Sequence, residues 1–321
     1  MVNFTKKNYT HALITRGIAL PKQSFQVVLK NFDIYLLLIP GAAFMLLFRY
    51  APMYGLVTAF QDYNIFEGIQ NSKWVGFQHF QQLFTSAKFL EVLGNTLIIS
   101  ISKIIFSFPA AILLTILLNE IGVSLIKKSC QTILYIPHFL SWVIVTGLVV
   151  TMCAPSSGLI NQLIKFLGGT PVNFLMDNAW FRGVVVASEI WKEVGYSAIV
   201  FIAALTGINP ELYEAAKMDG AGKLRQIRHI TIPGIMSVIV LMFIIRLGGV
   251  LSVNTEQILL LYNPTVYATG DVLGSYIYRT GVTNMNYSYA TAIGLFESAV
   301  GLLMVFTGNM ICKRFTGRSI W

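Results

Sequence analysis

Pro210-Glu-Leu-Tyr-Glu-Ala-Ala-Lys-Met-Asp-Gly-Ala-Gly-Lys-Leu-Arg-Gln-Ile-Arg-His-Ile-Thr-Ile-Pro233 is a polar island between two long apolar runs. Pro210 suits the first turn of a helix, and Glu211 and Glu214 suit the positive end of its dipole. Gly220 and Gly222 end that helix, and a second one follows. The stretch therefore predicts a helix, a break and another helix. With small residues at Ala215 and Ala216 the first helix can lie across two neighbouring spans as a rigid knob, able to pass a push from outside the membrane to both. A plain amphipathic connector is the simpler reading of such a pattern, and a mere tether would need none of it.

The apolar runs extend outward from this island over the whole chain. Of its 321 residues 55% are hydrophobic and 12% charged, about half the charged fraction usual in soluble domains. Apolar length and flanking charge predict six spans, near 34 to 58, 92 to 118, 131 to 153, 183 to 206, 234 to 253 and 288 to 311. The first begins too far in, behind Lys6, Lys7, Arg16, Lys22 and Lys30, and is too long, for the core of a cleavable leader. Residues 1–33 are expected to form a cytoplasmic N-terminal segment and 34–321 the transmembrane domain.

The formal net charge is +9. Fourteen of the 23 Lys and Arg fall on one side when loops are placed alternately, including Lys127, Lys128, Lys217, Lys223, Arg225, Arg228, Lys313, Arg314 and Arg318. Such a bias reports orientation rather than nucleic-acid binding and puts both termini and the 210–233 island in the cytoplasm. The loops near 59 to 91, 154 to 182 and 254 to 287 fall on the other side; their length and turn formers predict short helices folded back on the outer face.

The cysteines Cys130, Cys153 and Cys312 and the four histidines are scattered, so neither a metal site nor a redox pair is expected. Cys130 and Cys153 are expected at opposite ends of one spanning helix, ~35 Å apart. Asp219-Gly-Ala-Gly-Lys223 lacks the phosphate-loop spacing, because Lys217 stands where a Gly is needed and Leu224 where Ser or Thr must follow the Lys. No ATP site is expected in this chain. No nucleophile motif or clustered metal ligands point to an enzyme.

Glu214-Ala215-Ala216, then Asp219-Gly220-Ala221, then Ile230 and Pro233 resemble the cytoplasmic pattern of permease subunits of binding-protein-dependent ABC importers, with Ile232 in place of Leu. Further stretches are similar to the oligosaccharide branch of that family: Pro52-Met-Tyr-Gly55, Trp74-Val-Gly76, Asn95-Thr96, Leu118-Asn-Glu120, Tyr135-Ile-Pro-His-Phe139 with Ser141-Trp142, and Leu261-Tyr-Asn-Pro264 with Tyr278-Arg279. Thr255 departs from it, standing where relatives often have an aromatic residue. The resemblance implies an all-α, six-helix type-1 importer transmembrane domain in a bacterial cytoplasmic membrane, with a permease core of about 88–312 and a coupling segment of 209–233. It further implies a second homologous permease, two copies of an ATPase that binds ATP and magnesium, and an extracytoplasmic sugar-binding protein. The coupling residues it implies are Glu214, Ala215, Ala216, Asp219, Gly220, Ala221, Ile230 and Pro233. The alternative is an ion-coupled secondary sugar transporter, which leaves the Glu-Ala-Ala segment unexplained.

Lys103, Glu189, Lys192, Glu193, Arg246 and Glu297 lie at membrane depth, where ionisable groups face a cavity or each other. Helix-to-helix pairing, including Glu189 with Lys192 three residues on, accounts for them as does a polar path for cargo. Arg246, 13 residues past Pro233, and Glu297, 16 before Lys313, are expected to pair or to share one cavity, at ~20 and ~24 Å from the same side. Sugars are held by aromatic faces and planar hydrogen-bonding groups. Trp142, Trp191, Tyr196, Asn254, Glu256, Gln257, Tyr276 and Tyr278 complete the candidate path, although Trp142 near a span end also suits an interfacial anchor. Basic groups at depth would suit an acidic, uronate-containing oligosaccharide, and the sequence leaves the sugar itself open.

Overall fold

The computed structural model describes residues 32–320. Residues 1–31 of the expected N-terminal segment lie outside the described residues. The described chain is helical apart from one two-residue hairpin, and it divides into two compact units at Leu56 and Val57.

α1 (Phe32–Met45) lies in the first unit and is followed by a π turn, Leu46–Tyr50, and the 3-10 segment Ala51–Phe60, within which the division falls. The continuous stretch Tyr35–Phe60 is long and apolar enough to cross a bilayer. Leu37, Leu38, Leu47 and Phe48 are all exposed, as expected of side chains whose solvent is lipid.

In the second unit, β1 (Gln61–Asp62) pairs antiparallel with β2 (Lys73–Trp74) around the short α2 (Gly68–Asn71). Two helices follow, α3 (Gln78–Thr85) and the long α4 (Ala87–Glu120). Ser86 starts α4 by accepting a bond from the Phe89 amide at 3.3 Å. Next come α5 (Ser124–Phe139), α6 (Trp142–Cys153), α7 (Leu159–Phe166) and α8 (Asn178–Leu205). The coupling region contributes α9 (Glu211–Met218) and α10 (Lys223–Gly248), the latter with a π turn at Ile227–Thr231. The outer-loop helices α11 (Thr255–Leu261), α12 (Tyr267–Gly270) and α13 (Leu273–Tyr278) precede α14 (Tyr287–Thr316). Asn286 caps the start of α14, and Gly317, at φ +68°, ends it.

Four helical stretches pass as spans by length and apolarity: 35–60, α4, α10 and α14. The expected third span is instead a broken one. α5 and α6 meet at 101° across Leu140 and Ser141, so Cys130 and Cys153 sit on two differently directed helices rather than at the ends of one. Ser141 explains the break, because its hydroxyl caps the new helix at the Ile144 amide, 3.4 Å away. The expected fourth span corresponds to α8, whose 28 residues reach ~42 Å but which is not among the helices that pass as spans, because its charges lie too close together. It carries Arg182, Glu189, Lys192 and Glu193. α10 starts at Lys223, well before the expected 234, and continues past Pro233 because the π turn Ile227–Thr231 just before it takes up the missing amide donor. The expected short helices in the three long loops are present as α2 and α3, α7, and α11 to α13.

The packed centre holds Leu83, Phe89, Val92, Leu251, Leu273 and Ile293 in one cluster. A second cluster joins Ile99, Phe181, Val185, Val253, Ile258 and Val266. α5 crosses α8 closely: a Cβ added at Gly195 would stand 1.9 Å from the Leu134 carbonyl oxygen. Only a glycine fits this crossing.

Candidate functional site

α8 gathers the buried charge. Glu189, Lys192, Glu193 and Tyr196 recur at helical spacing on one face, and each meets a different neighbour. Glu189 pairs in close contact with Lys103 of α4, and Arg246 of α10 approaches its other oxygen at 3.7 Å. Lys103 also donates to the Gln257 Oε1 at 2.9 Å. The Gln257 amide in turn donates to the Val185 carbonyl at 2.8 Å and to the Ser188 hydroxyl at 2.9 Å. Taking such groups out of water is tolerable only when each finds a partner.

The expected Glu189–Lys192 pair does not form. Lys192 turns to the break between α5 and α6, where its ammonium donates to the carbonyls of His138 at 2.6 Å, Leu140 at 2.8 Å and Pro137 at 3.4 Å. A helix end leaves carbonyls unpaired, and a cation is their natural cap. Trp142 is buried beneath this ammonium, 5.4 Å from ring centre to Nζ, rather than serving as an interfacial anchor. His138 Nδ1 lies 2.8 Å from the Glu193 carboxylate, and Tyr196 stacks on its ring at 3.8 Å.

A polar cavity of about 440 Å³ opens beside this network, lined by Ser100, Lys103, Glu189, Glu193, Arg246, Ser252 and Asn254 among others. It lies among α4, α8, α10 and the turn after α10. Glu297 and Arg246 do not form the expected pair. Glu297 accepts a short bond from the Ser252 hydroxyl, and Ser252 lines the cavity that Arg246 also lines. The two charges border one polar region through different partners.

Of the proposed path, then, Arg246 and Asn254 line the cavity; Gln257 and Trp142 are buried outside its lining, Glu297 is bonded to Ser252, and Tyr196 is exposed and stacked on His138. Asn254 also caps α11 at the Gln257 amide, 3.1 Å away. Trp191 faces elsewhere, into an apolar cavity of about 490 Å³ with Met152, Phe174 and Trp180. Glu256 and Tyr278 are exposed, and Tyr276 packs under Arg279 in the outer loop, 5.7 Å from ring centre to Cζ. Two of the cavity-lining groups carried no signal in the sequence: Ser100 and Ser252 are common residues whose role depends on which helices meet.

The loop of residues 254–287 is held by a second polar cluster. Asp271 is fully buried and accepts from Arg279 at 2.5 Å. Burial would lower the Arg279 pKa, but this carboxylate outweighs it and holds the guanidinium above its ordinary value. Asn95 donates to the carbonyls of Ala268 and Asp271, and Arg182 donates to Asn95 at 2.7 Å and to the Thr269 carbonyl at 3.1 Å. α4 and α8 thereby fix residues 268–271.

The segment 210–233 has the predicted helix, break and second helix. α9 has no buried residue; Glu214, Ala215 and Asp219 are exposed, and Ala216 and Ala221 half-buried. Gly220 takes φ +75°, which allows the Ala221 amide to reach the Ala216 carbonyl at 2.8 Å. Tyr213 and Thr231 share a hydroxyl contact of 3.0 Å, and Lys223 pairs with Glu120 at 2.5 Å. A shallow hollow of about 270 Å³ lies between Ala216, Asp219, Ala221, Gln226 and Ile230. Pro233 is exposed, and its carbonyl accepts from Arg318 at 3.2 Å.

Comparison with known proteins agrees with this geometry. The chain is 46% identical over 288 residues, 90% of either protein, to the polygalacturonan/rhamnogalacturonan transport system permease protein YteP of Bacillus subtilis. It is 27% identical over 277 residues, 86% of this chain and 85% of the relative, to the arabinooligosaccharides transport system permease protein AraP of the same organism. A chain in the crystal structure of a bacterial alginate ABC transporter, in complex with an alginate pentasaccharide-bound periplasmic protein, superposes with a TM-score of 0.86 at 40% identity, covering 93% of this chain and 100% of that one. The pattern of the binding-protein-dependent transport system inner membrane component matches residues 84–317. With exposed apolar spans, a polar cavity beside them and the short exposed α9, the chain belongs to this family and is a multi-pass permease subunit of an ABC importer.

Proposed function

We propose that this permease translocates an acidic, uronate-containing oligosaccharide. It works with a second homologous permease, two copies of an ATPase that binds ATP and magnesium, and a sugar-binding protein outside the membrane. The observation that carries the translocation role is the polar cavity flanked by Lys103, Glu189 and Arg246 inside an otherwise apolar bundle. Hydroxyl-rich cargo needs hydrogen-bonding groups at a depth where lipid offers none. The acidic class is supported by the polymers for which the relatives are named, polygalacturonan and alginate.

Both termini and α9 face the cytoplasm in this reading, where the exposed α9, with Glu214, Ala215, Gly220 and Ala221 at its working end, docks on the ATPase. The failed phosphate-loop spacing at Asp219–Leu224 supports a division of labour in which this chain supplies no nucleotide site. Alternating access then follows from moving α9 and, through it, the spans on either side.

The test is reconstitution of the full complex in liposomes with ATP enclosed, comparing uptake of galacturonate oligomers with that of neutral galactose oligomers of equal length. ATP-dependent uptake favouring the galacturonates is expected. Preference for the neutral oligomers would overturn the substrate class, and uptake without ATP would overturn the mechanism.

A further inference from the structure

We infer that Arg246 is the specificity-determining residue of the cavity, the group that reads the carboxylate of the cargo. This inference rests on the acidic-oligosaccharide reading above and adds to it which of the buried cations does the reading.

The argument is an accounting of donors. Three cations stand in or beside the cavity: Lys103, Lys192 and Arg246. An ammonium has three donors and a guanidinium five. Lys103 is engaged in close contact with Glu189 and at 2.9 Å with Gln257, and its side chain is 8% exposed. Lys192 is engaged by three carbonyls at the α5–α6 break and is 5% exposed. Lys192 has no donor left for cargo, and Lys103 keeps one, on a side chain almost wholly buried. Arg246 differs in both respects: its side chain is 38% exposed, and its nearest carboxylate, Glu189, is 3.7 Å away, beyond hydrogen-bond reach. Among the described residues, no hydrogen bond to its guanidinium is found.

The carboxylates are accounted for in the same way. Lys103 holds Glu189 by a closer contact than Arg246 does, and Glu193 has His138 at 2.8 Å and Lys192 at 3.7 Å. Glu297 stands behind Ser252, not on the cavity wall. Lys103 therefore neutralises the one carboxylate that would otherwise capture Arg246, and leaves a planar, five-donor cation facing the cavity. Such a fork matches a carboxylate in a bidentate pair and has no comparable match in a neutral hydroxyl. A guanidinium at this depth whose one carboxylate contact is a 3.7 Å ion pair, without a hydrogen bond, is expensive unless a further partner arrives, and the arriving partner is the uronate.

The experiment uses the reconstituted complex with saturating binding protein and two cargoes that differ in one feature, galacturonate oligomers and their methyl esters. Cargo-stimulated ATP hydrolysis gives kcat/KM for each. The binding protein is the same for every permease variant, so a change in the acid-to-ester ratio between variants belongs to the permease. Arg246→Gln is expected to lower the value for the acid about ten- to hundredfold and to leave that for the ester within about twofold. Arg246→Lys, which keeps charge but loses the fork, is expected to fall between. A wild type that prefers the acid, with an Arg246→Gln variant that keeps the same preference, overturns the assignment and leaves the substrate class intact. Equal loss for both cargoes also overturns it, marking Arg246 as structural or as engaged by the second permease. A wild type that transports neither uronate cargo but accepts neutral oligomers overturns the substrate class itself.

Discussion

Replacing Lys192 by Met should unlock the break between α5 and α6. The ammonium donates to three carbonyls, at 2.6, 2.8 and 3.4 Å, with a side chain 5% exposed. A hydrogen bond to a charged group contributes about 1.5 to 3 kcal/mol, and removing one member of a buried charged set typically costs about 3 to 5. The three bonds share one cation and are not additive, so the lower figure, about 3 kcal/mol, is the expectation. The loss is expected at the break: amide hydrogen exchange should accelerate over residues 138–145 while α14 stays protected. The assay is exchange on the detergent-purified complex, with equilibrium denaturation for the global value. Adding Glu193→Gln should restore part of the loss, because Glu193 lies 3.7 Å from Lys192 and is left short of positive charge without it. A loss under about 1 kcal/mol, with unchanged exchange at 138–145, would refute the claim that Lys192 pins the break.

Other outcomes are equally specific. Gly195→Ala places a Cβ 1.9 Å from the Leu134 backbone oxygen and should destabilise the complex by about 1 to 3 kcal/mol; wild-type stability would show that α5 and α8 can part freely. Gly220→Val, at φ +75°, strains the turn by about 1 to 2 kcal/mol, while Glu214→Lys reverses a charge on exposed α9. Both should leave membrane insertion intact and abolish sugar-stimulated ATP hydrolysis, and normal stimulation with the ATPase still co-purifying would remove the coupling role. Asp271→Leu orphans Arg279, its partner at 2.5 Å, at a cost of about 3 to 5 kcal/mol; limited proteolysis should then cut within residues 262–286, and resistance equal to wild type would argue against the clamp.

The spans were legible because apolar length and flanking charge are local properties, and the helix-break-helix of 210–233 because Pro210, Gly220 and Gly222 act within a turn of themselves. Family membership, which Glu214-Ala215-Ala216 and its neighbours suggested, also sets the ion-coupled alternative aside. The broken span at Leu140–Ser141 was hidden, since hydropathy cannot tell a straight apolar run from one bent by 101°. Ser141, able to cap a new helix, was the available clue. The buried charges were legible as a set but not in their pairing. Glu189 and Lys192 share a helix face, yet each is claimed by a group distant in sequence, Lys103 in one case and the carbonyls near His138 in the other. Trp191, read as a sugar platform from its type alone, lies in an apolar hollow because α6 and α7 pack beside that side of α8.

The charge carried by α8 bears on how the chain enters the membrane during synthesis. A charged residue at the centre of a helix entering through the translocon costs about 2.5 to 3.5 kcal/mol, and α8 carries Glu189, Lys192 and Glu193 within five positions. Released alone into lipid it would be a poor substrate for insertion. Several of its partners are made before it, however: Lys103 waits on α4, and His138 with the open carbonyls waits at the end of α5. Arg246, Gln257 and the Thr269 carbonyl are translated later. Order of synthesis thus supplies a polar cradle before the polar helix emerges, and α8 integrates as the last piece of a preassembled group. Replacing Lys103 should therefore strand α8 outside the bilayer in a ribosome-bound chain truncated after residue 222, before any question of transport arises.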